Sequence, residues 1–412
     1  MEKIESVYVK NLVEKYGTPL YVYDFNKIEK NLNRLKNAFN FASGKVKIYY
    51  SLKAYSHPVI VNFLKDREIG FDCVSPGEIR MVLEEGVSSD KIFFTSSYES
   101  ENDLKYAIDN NVIINLDDIS SFKKLIKLGK VDFVSFRVNP GEGKGKYEQI
   151  ITGGTKSKFG IPQEKIIDAY RLAYDYGIRR FGIHMMVGSG NLDKEYFPFI
   201  INQLFVIISE IIKKVNVNIK NINIGGGFGI PYYDDQEELD IEWVGQEILK
   251  IFENKVKEYG LNDPYLSIEP GRFIVGNAGY LVTRVAGIKR SYKNFIGVDA
   301  GFNIFPRPAL YGAEHNVYLY KKFDKHKNIY NICGQICENT DILAKDRLLP
   351  DNIKIGDIII FGEAGAYCSV LSSSYNLRFR PAEVAIYNGK DYLITERETY
   401  EHYTSRLLKV KF

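Results

Sequence analysis

The sequence predicts an α/β fold in which a closed (β/α)8 barrel of the TIM type is combined with a β-rich domain. Short strands and helical stretches alternate eight times between residues 25 and 275, as is typical of parallel sheets with helical crossovers. After residue 276 helical patterns nearly vanish, and β-branched and aromatic runs are separated by turn residues. Eight units in about 250 residues favour a closed barrel, and an open doubly wound sheet is the alternative.

The predicted barrel strands are short runs rich in β-branched and aromatic residues. In chain order they are residues 47–52, 69–74, 91–96, 112–116, 133–138, 181–186, 222–227 and 265–269. The helical stretches between them include residues 76–86, 100–110, 163–177 and 241–260. We therefore expect a barrel over residues 25–275, and a β-rich domain built from residues 1–24 together with residues 276–412.

Composition argues against several classes of protein. The chain has 412 residues with 55 Lys and Arg against 52 Asp and Glu, and this net charge of +3 is too balanced for nucleic-acid binding. No apolar run reaches the roughly 18 residues that cross a bilayer, and residues 1–20 lack the apolar core of a signal peptide. The four cysteines have neither a disulfide framework nor zinc-ligand spacing. We expect a cytoplasmic protein with no metal site and no membrane partner.

Chemically reactive residues recur where the predicted barrel strands end. Lys53 follows the first strand, and the others lie in or at the ends of later strands: Asp72, Arg137, His184, Gly225–Gly227 and Glu269. The carboxyl ends of barrel strands meet at one mouth of the barrel. The sequence therefore predicts a single active site at that mouth.

Two glycine-containing segments follow the seventh and eighth strands, IGGGFG (224–229) and EPGR (269–272). Consecutive glycines let backbone amides surround a phosphate, although they also simply make tight turns. Gly271 frees the backbone of the second segment, and Arg272 adds a charged fork. Barrels commonly hold a phosphate after these two strands, so a phosphate site is predicted there.

Lys53 and Glu269 suit a pyridoxal cofactor beside that phosphate site. A partly desolvated lysine favours a nucleophilic amine that can form a Schiff base. An acidic residue near the ring nitrogen keeps it protonated, which makes the ring a better electron sink. The alternatives are an exposed surface lysine, and a structural salt bridge between Glu269 and Arg272 or another base.

The β-rich domain carries a second group of candidates. Cys337 and Glu338 are adjacent in QICENTD, and Tyr367 lies in GEAGAYC. Arg307 and Tyr311 in FPRPALYGAEH offer a guanidinium fork and a hydroxyl for a carboxylate. Plain core packing for the cysteine and a solvated surface charge for the arginine remain the alternatives.

Eleven short motifs occur in the order found in the fold-type III pyridoxal-phosphate-dependent decarboxylases, which this chain resembles over nearly its whole length. They are YSLKA (50–54), FDCVSPGE (71–78), RVNP (137–140), SKFGI (157–161), GIHMMVGSG (182–190), IGGGFG (224–229), EPGR (269–272), RPALYGAEH (307–315), CENTD (337–341), GAY (365–367) and SSSYNLRFRPAEV (372–384). RPALYGA and the RPAEV tail favour the diaminopimelate decarboxylase branch over the ornithine branch.

The resemblance implies a role for each matching residue. The catalytic residues are Lys53, which binds the cofactor covalently, Cys337, which returns a proton to the α carbon, and Glu338. Glu269 pairs with the ring nitrogen of the cofactor. The remaining cofactor-binding residues are Asp72, Arg137, His184, Met186, Ser189, Gly226, Gly227, Gly271, Arg272, Tyr367 and Tyr375. The substrate-binding residues are Arg272, Arg307, Tyr311, Glu338 and Tyr367. Cys337 and Glu338 reach the site from the partner subunit, which implies a homodimer with shared sites.

The resemblance further implies decarboxylation of meso-2,6-diaminopimelate to L-lysine and CO₂. Two departures bear on the substrate: Met186 stands where the family usually has a histidine, and Asn339 stands where it usually has a serine. His184 is retained two positions before Met186, on the same strand face. The alternatives are a sibling decarboxylase acting on another amino acid or a carrier-bound or siderophore-type intermediate, an alanine-racemase-like enzyme, and a non-catalytic binding protein.

Overall fold

The computed structural model describes residues 1–141, 152–233, 235–321, 326–410 and 412, which form two compact units. The first, called here the barrel unit, comprises Asn31–Pro231 and Glu237–Phe273. The second, called the β unit, comprises Met1–Lys30, Tyr232–Gln236 and Ile274–Phe412.

The barrel unit is built on eight parallel strands that close on themselves. They are Val46–Ser51, Gly70–Cys73, Ile92–Thr95, Ile113–Leu116, Phe133–Asn139, Arg180–His184, Asn218–Asn223 and Tyr265–Ile268. Each strand pairs with the next, and the eighth pairs with the first through Leu266 and Val46. This closure confirms the predicted barrel and excludes the open doubly wound sheet.

The seventh strand lies four residues earlier than predicted. The sequence indicated residues 222–227, whereas the structure has Asn218–Asn223. Gly225 and Gly227 have φ angles of +67° and +92°, and these left-handed conformations end the extended backbone. The apolar run of IGGGFG therefore belongs to a loop at the mouth of the barrel.

Helices surround the barrel, and those that follow the first four strands and the eighth strand begin soon after the strand ends. They are Phe25–Ala38 (which begins in the β unit), Pro58–Lys65, Pro76–Glu84, Glu101–Asp109, Ile119–Leu128, Ile166–Tyr176, Tyr196–Val215, Ile241–Glu258 and the short Arg272–Val275 (which ends in the β unit). Several of them begin after a side chain that accepts a hydrogen bond from a first-turn N–H, and these side chains include His57, Ser75, Ser100, Asp118 and Asp240. These side chains fix the residue at which each of these helices begins.

Helix Tyr196–Val215 differs from the sequence expectation. It is the one helix among the described residues that is long and apolar enough to cross a membrane by length and composition alone. Half of its apolar window is buried, and it packs beside helices Ile166–Tyr176 and Ile241–Glu258. Its apolar face is therefore accounted for by the helical layer of the barrel unit.

The β unit contains one large sheet with a short branch. In sheet order its strands are Ile342–Pro350, Lys327–Cys333, Asn294–Val298, Gly279–Arg290, Leu20–Asp24, Ala382–Tyr387 and Lys390–Thr395, with Val317–Leu319 and Ile358–Phe361 paired to the side of Gly279–Arg290. A two-stranded ribbon, Lys3–Ile4 with Val7–Tyr8, and the helices Val9–Tyr16, Arg307–Tyr311 and Tyr400–Thr404 complete it.

The amino-terminal segment is an integral part of the β unit. Strand Leu20–Asp24 lies between Gly279–Arg290 and Ala382–Tyr387 in the large sheet. Its side chains Leu20 and Val22 are fully buried in the same apolar cluster as residues from both neighbouring strands. This confirms the prediction that the first residues of the chain fold with the β-rich carboxy-terminal part.

Candidate active site

Lys53 and Asp72 form an ion pair at the mouth of the barrel. Lys53 lies in a single turn after the first strand, and its Nζ is 2.6 Å from Oδ2 of Asp72 at the end of the second strand. Ser51 Oγ donates to the same oxygen at 3.1 Å. Burial and the charge of Glu269 raise the pKa of Asp72, and Lys53 opposes this shift. The lysine side chain remains 43% exposed, so its amine is held in place and still accessible.

Glu269 is a buried carboxylate whose two oxygens both have partners. Asn223 Nδ2 donates to Oε1 at 2.7 Å, and His184 Nε2 lies 3.3 Å from Oε2. Burial by itself would raise the pKa of Glu269, but His184, the charge of Lys53 and the Asn223 hydrogen bond together lower it to about 2. The carboxylate is therefore ionised at neutral pH, as a partner of a protonated ring nitrogen must be.

His184 faces Glu269 and has a partner on its other nitrogen. Asn115 Nδ2 is 3.1 Å from His184 Nδ1, and with the amide assigned in this orientation it donates to that nitrogen. The ring proton then lies on Nε2, towards Glu269. Only 1% of His184 is exposed. His184 thus orients the Glu269 carboxylate. It does not take the place of the histidine that the resembled family usually has at position 186, where this chain has Met186.

Arg137 is buried in the fifth strand and reaches the segment that carries Met186. One of its terminal nitrogens donates to the Met186 carbonyl at 3.2 Å, and the other lies 3.6 Å from Asp117 Oδ1. Its guanidinium also stacks 4.5 Å from the ring centroid of Phe159. Sequence reasoning missed Asp117, although it directly follows the fourth strand, the position that the other site residues share.

The glycine loops approach neighbouring backbone so closely that a side chain could not be added. A Cβ atom on Gly226 would lie 2.3 Å from the Glu269 carbonyl oxygen, and one on Gly227 would lie 2.7 Å from the Gly188 oxygen. On Gly271 it would meet Ala54 Cβ at 2.9 Å. The two segments predicted to bind a phosphate are thus packed against the turn that carries Lys53 and the loop around Ser189.

Met186 contacts the first glycine loop directly. The Gly226 N–H donates to Met186 Sδ at 3.3 Å. Ser189 lies half-buried in the same loop, which Asn191 N ties to the Gly227 carbonyl at 2.9 Å. Arg272, 6% exposed, opens the short helix after Gly271.

These residues fit pyridoxal phosphate. An accessible amine, an ionised buried acid and two glycine loops lie on one rim of the barrel unit, and these are the groups that its aldehyde, ring nitrogen and phosphate require. Asp72 Oδ1, buried at the same rim, has no hydrogen-bond partner among the described residues. The other predicted barrel-unit residues adjoin these groups: His184 faces Glu269, Met186 contacts Gly226, Arg137 reaches the Met186 carbonyl, and Ser189 follows Gly188 beside Gly227.

In the β unit, Arg307 is the predicted residue with the most defined surroundings. It opens helix Arg307–Tyr311, is 2% exposed and lies 3.0 Å from His315 Nε2 through one terminal nitrogen. Its guanidinium carbon is 4.6 Å from the ring centroid of Tyr232. Tyr311 ends the same helix and is half-buried. Sequence reasoning quoted the motif containing His315 but did not single that residue out.

Cys337 and Glu338 lie together in an exposed loop of the β unit. Asn376 Oδ1 accepts from the Cys337 N–H at 2.9 Å, and the Tyr375 hydroxyl donates to Glu338 at 2.7 Å. Buried Asp341 orders the loop from within by accepting from Ile336 N at 2.7 Å. The structure thus brings Tyr375 to Glu338, a pairing that the sequence did not indicate.

Tyr367 is held in a left-handed backbone conformation with a φ of +56° and is half-buried. Non-glycine residues adopt this conformation rarely, and they do so mostly in tight turns and functional sites. It follows Gly365, where a Cβ atom would lie 1.9 Å from the Val275 oxygen. The GAY segment therefore has a backbone path that its neighbours fix.

A parallel barrel that carries this lysine, acid and pair of glycine loops on one rim defines a pyridoxal-phosphate-binding protein. Residues 25–276 match the family described as "Pyridoxal-dependent decarboxylase, pyridoxal binding domain". The chain belongs to this family of enzymes, which confirms the resemblance seen in the sequence and pyridoxal phosphate as the cofactor.

Individual relatives are similar over nearly the whole chain. The diaminopimelate decarboxylase of Methanothermobacter thermautotrophicus is 40% identical over 97% of this chain and 95% of its own length. Protein TabA of Pseudomonas amygdali pv. tabaci is 32% identical over 95% of this chain and 92% of its own length. A crystal structure of the Methanocaldococcus jannaschii diaminopimelate decarboxylase with L-lysine has a TM-score of 0.89 and 30% identity, covering 98% of this chain and 95% of that one.

Proposed function

We propose that this protein catalyses the pyridoxal-phosphate-dependent decarboxylation of meso-diaminopimelate to L-lysine and CO₂. The observation that carries the chemistry is the buried Glu269 carboxylate, which has Asn223 Nδ2 at 2.7 Å and His184 Nε2 at 3.3 Å. These neighbours and Lys53 lower its pKa, so it stays ionised at neutral pH. The substrate is supported by the full-length similarity to diaminopimelate decarboxylases, one of which was crystallised with L-lysine.

The barrel unit supplies the residues that act on the cofactor. When bound, pyridoxal phosphate supplies a ring that takes up the electron pair left behind by the departing carboxylate. Lys53 provides the amine that binds the cofactor, and Asp72 orients it at 2.6 Å. Glu269 stabilises positive charge at the ring nitrogen, since its ionised oxygens are pre-positioned by Asn223 and His184. Arg272 and the glycine loops bind the phosphate.

The β unit supplies the residues that act on the substrate. Arg307 and Tyr311 bind a carboxylate that is not lost in the reaction, because a guanidinium and a hydroxyl suit that group. Glu338 is an acceptor for the substrate's distal amine. Cys337 carries the proton that is returned to the carbon from which CO₂ has left. Tyr367 contributes to both cofactor and substrate binding.

The active sites are shared in a homodimer, with Cys337 and Glu338 serving the partner's Lys53. This is supported by the exposure of both residues, since a proton donor must be shielded from bulk water when it acts. Mixing inactive Lys53→Ala and Cys337→Ala proteins tests it. After subunit exchange one of the two sites in each mixed dimer is intact, so about a quarter of the wild-type activity returns. No recovery after verified exchange contradicts shared sites.

The domain assignment and location are part of the same proposal. Residues 25–275 form the cofactor-binding domain, and residues 1–24 with 276–412 form the domain that contributes substrate and interface residues. The enzyme acts in the cytoplasm, where reduced cysteines are stable, and the four cysteines of the described chain are free thiols.

The deciding experiment measures CO₂ release from meso-diaminopimelate by the cofactor-loaded protein and identifies the amino-acid product. Stoichiometric L-lysine, absent with Lys53→Ala, is the expected result. A loaded protein that releases no CO₂ from this substrate contradicts the substrate assignment and leaves the cofactor assignment standing.

A sibling decarboxylase acting on another amino acid is the second candidate. It is favoured by Met186 and Asn339, the two departures from the family pattern, and by a relative with a different name, Protein TabA, at 32% identity. Assaying the same loaded protein with other diamino acids separates the two candidates, because only one of them predicts turnover of meso-diaminopimelate.

A further inference from the structure

Arg307 is held by a neutral partner inside the β unit. One of its terminal nitrogens is 3.0 Å from Nε2 of His315, and both residues are almost completely buried. An arginine side chain can only donate hydrogen bonds, so Nε2 of His315 must be the acceptor. The histidine proton is therefore on Nδ1.

The second contact of His315 assigns the same tautomer independently. Nδ1 lies 2.9 Å from the carbonyl oxygen of Gly362, and a carbonyl can only accept. His315 is thus a neutral ring that donates on one side and accepts from Arg307 on the other. A carboxylate in this position would add a negative charge beside the guanidinium, whereas the neutral ring directs the guanidinium without adding a charge.

The surroundings of His315 restrict the movement of the ring. It lies 4.6 Å from the ring of Phe305 and 5.3 Å from that of Tyr232, the latter edge-on at 84°. Arg347 donates to the His315 backbone carbonyl at 3.2 Å. Since the ring is packed and bonded on several sides, it transmits a fixed direction to the Arg307 nitrogen.

We propose that His315 is the positioning residue that directs Arg307 towards the carboxylate retained by the substrate, and that it thereby sets the preference for amino acids over diamines. The inference rests on the proposed function, because Arg307 is there the receptor of that carboxylate. It adds a specificity role to a residue outside the set of groups that contact the substrate.

Two substitutions separate the two hydrogen bonds of the ring. His315→Gln places an amide oxygen near the position of Nε2 and keeps an acceptor for Arg307. His315→Asn places an amide nitrogen near the position of Nδ1, keeps the donor to Gly362 and removes the acceptor. Both variants lose the aromatic ring, so the loss of ring packing is common to them, and they differ in the hydrogen bond kept and in one methylene.

The test measures competitive inhibition of the holoenzyme by L-lysine and by cadaverine, which is lysine without its carboxylate. The ratio of the two inhibition constants reports the contribution of the carboxylate. In the wild type we expect L-lysine to bind at least about tenfold more tightly, as for a charge-assisted contact. His315→Asn abolishes most of this ratio and raises KM for meso-diaminopimelate more than it lowers kcat, whereas His315→Gln retains the larger part of the ratio.

The possible results distinguish this inference from the function on which it rests. Suppose that the wild type turns over meso-diaminopimelate and prefers L-lysine to cadaverine. If His315→Asn then keeps the wild-type ratio of inhibition constants, only the role of His315 is overturned. If the wild type neither turns over meso-diaminopimelate nor prefers L-lysine to cadaverine, the proposed function itself is overturned. Equal loss of the ratio in both variants shows that ring packing is what matters, and it also overturns the hydrogen-bond role.

Discussion

The two groups of candidate residues differ sharply in their contact with water. In the barrel unit Asp72, His184 and Glu269 are buried and have polar partners at 2.6–3.3 Å. In the β unit Cys337 and Glu338 lie in an exposed loop. Burying charge is costly unless partners are already in place, so the first group must be preorganised. For the second group this free-energy cost is small because the residues are exposed, and the proposed partner subunit would have to shield them from water.

The largest expected effect is that of removing the amine at the barrel mouth. Lys53→Ala eliminates the covalent attachment point and lowers kcat for decarboxylation by about 10³-fold or more. It also removes the visible absorbance of cofactor bound to a lysine. If this variant keeps wild-type turnover, Lys53 does not have the assigned role, and the barrel unit does not supply the reactive amine.

The second effect tests whether buried charge is what distinguishes the barrel site. Glu269→Gln lowers kcat by about 10²-fold, since a neutral amide cannot balance the ring nitrogen. It also lowers the free energy of unfolding by about 1–3 kcal/mol, because its partners Asn223 and His184 are left poorly matched in a buried site. Exposed Glu338→Gln is the matched control, with a change in stability within about 0.5 kcal/mol. If both variants lower the free energy of unfolding equally, the buried and the exposed carboxylates do not differ in their contribution to stability.

The pH dependence of stability follows from the same residue. The pKa of Glu269 in the folded protein, about 2, lies below its ordinary value of 4.5. The ionised form therefore stabilises the fold above pH 4.5, and this contribution is lost as the pH falls towards 2. Denaturant unfolding across this range is expected to show a smaller acid loss for Glu269→Gln than for the wild type. If the free energy of unfolding falls equally with pH in the wild type and in Glu269→Gln, the pKa of Glu269 is not lowered in the folded protein.

The third effect tests the exposed group. Cys337→Ala lowers kcat by about 10²-fold through loss of the proton donor. It leaves the free energy of unfolding within about 0.5 kcal/mol of the wild type because the side chain is exposed. Cys333→Ala, in the strand that precedes the loop, is the control and retains kcat. Unchanged turnover in Cys337→Ala removes the assigned role.

The sequence predicted the barrel, the β-rich unit and the strand-end residues because each depends on local pattern. Alternating strands and helices predict a parallel barrel, and Lys53, Asp72 and Glu269 follow strands directly. The partners were not predictable in the same way. Asn223 meets Glu269 across 46 positions and His315 meets Gly362 across 47. Such pairs exist only after sheets close, and no spacing rule relates them.

The seventh strand shows the opposite difficulty, in which a local pattern misleads. The apolar run before GGG looks extended, but the positive φ angles of Gly225 and Gly227 turn it into a loop. Periodicity reports burial, and it does not report where a glycine changes the backbone direction. The sequence therefore placed these glycines correctly after the seventh strand's apolar run but assigned their backbone the wrong secondary structure.

The smallest expected effect concerns Met186, which stands where the family usually has a histidine. Its sulfur accepts a hydrogen bond from the Gly226 N–H at 3.3 Å. Met186→Leu preserves apolar volume and removes that acceptor, so it weakens cofactor binding a few-fold, in line with contacts worth about 1 kcal/mol. Met186→His restores the family's usual residue and an acceptor, and binds the cofactor as tightly as the wild type or more so. Titration of the apoprotein with pyridoxal phosphate, followed by absorbance, measures both. Equal affinity in Met186→Leu and the wild type shows that the sulfur does not support the loop. The buried Glu269 site would then keep its affinity independently of the residue beside the glycines.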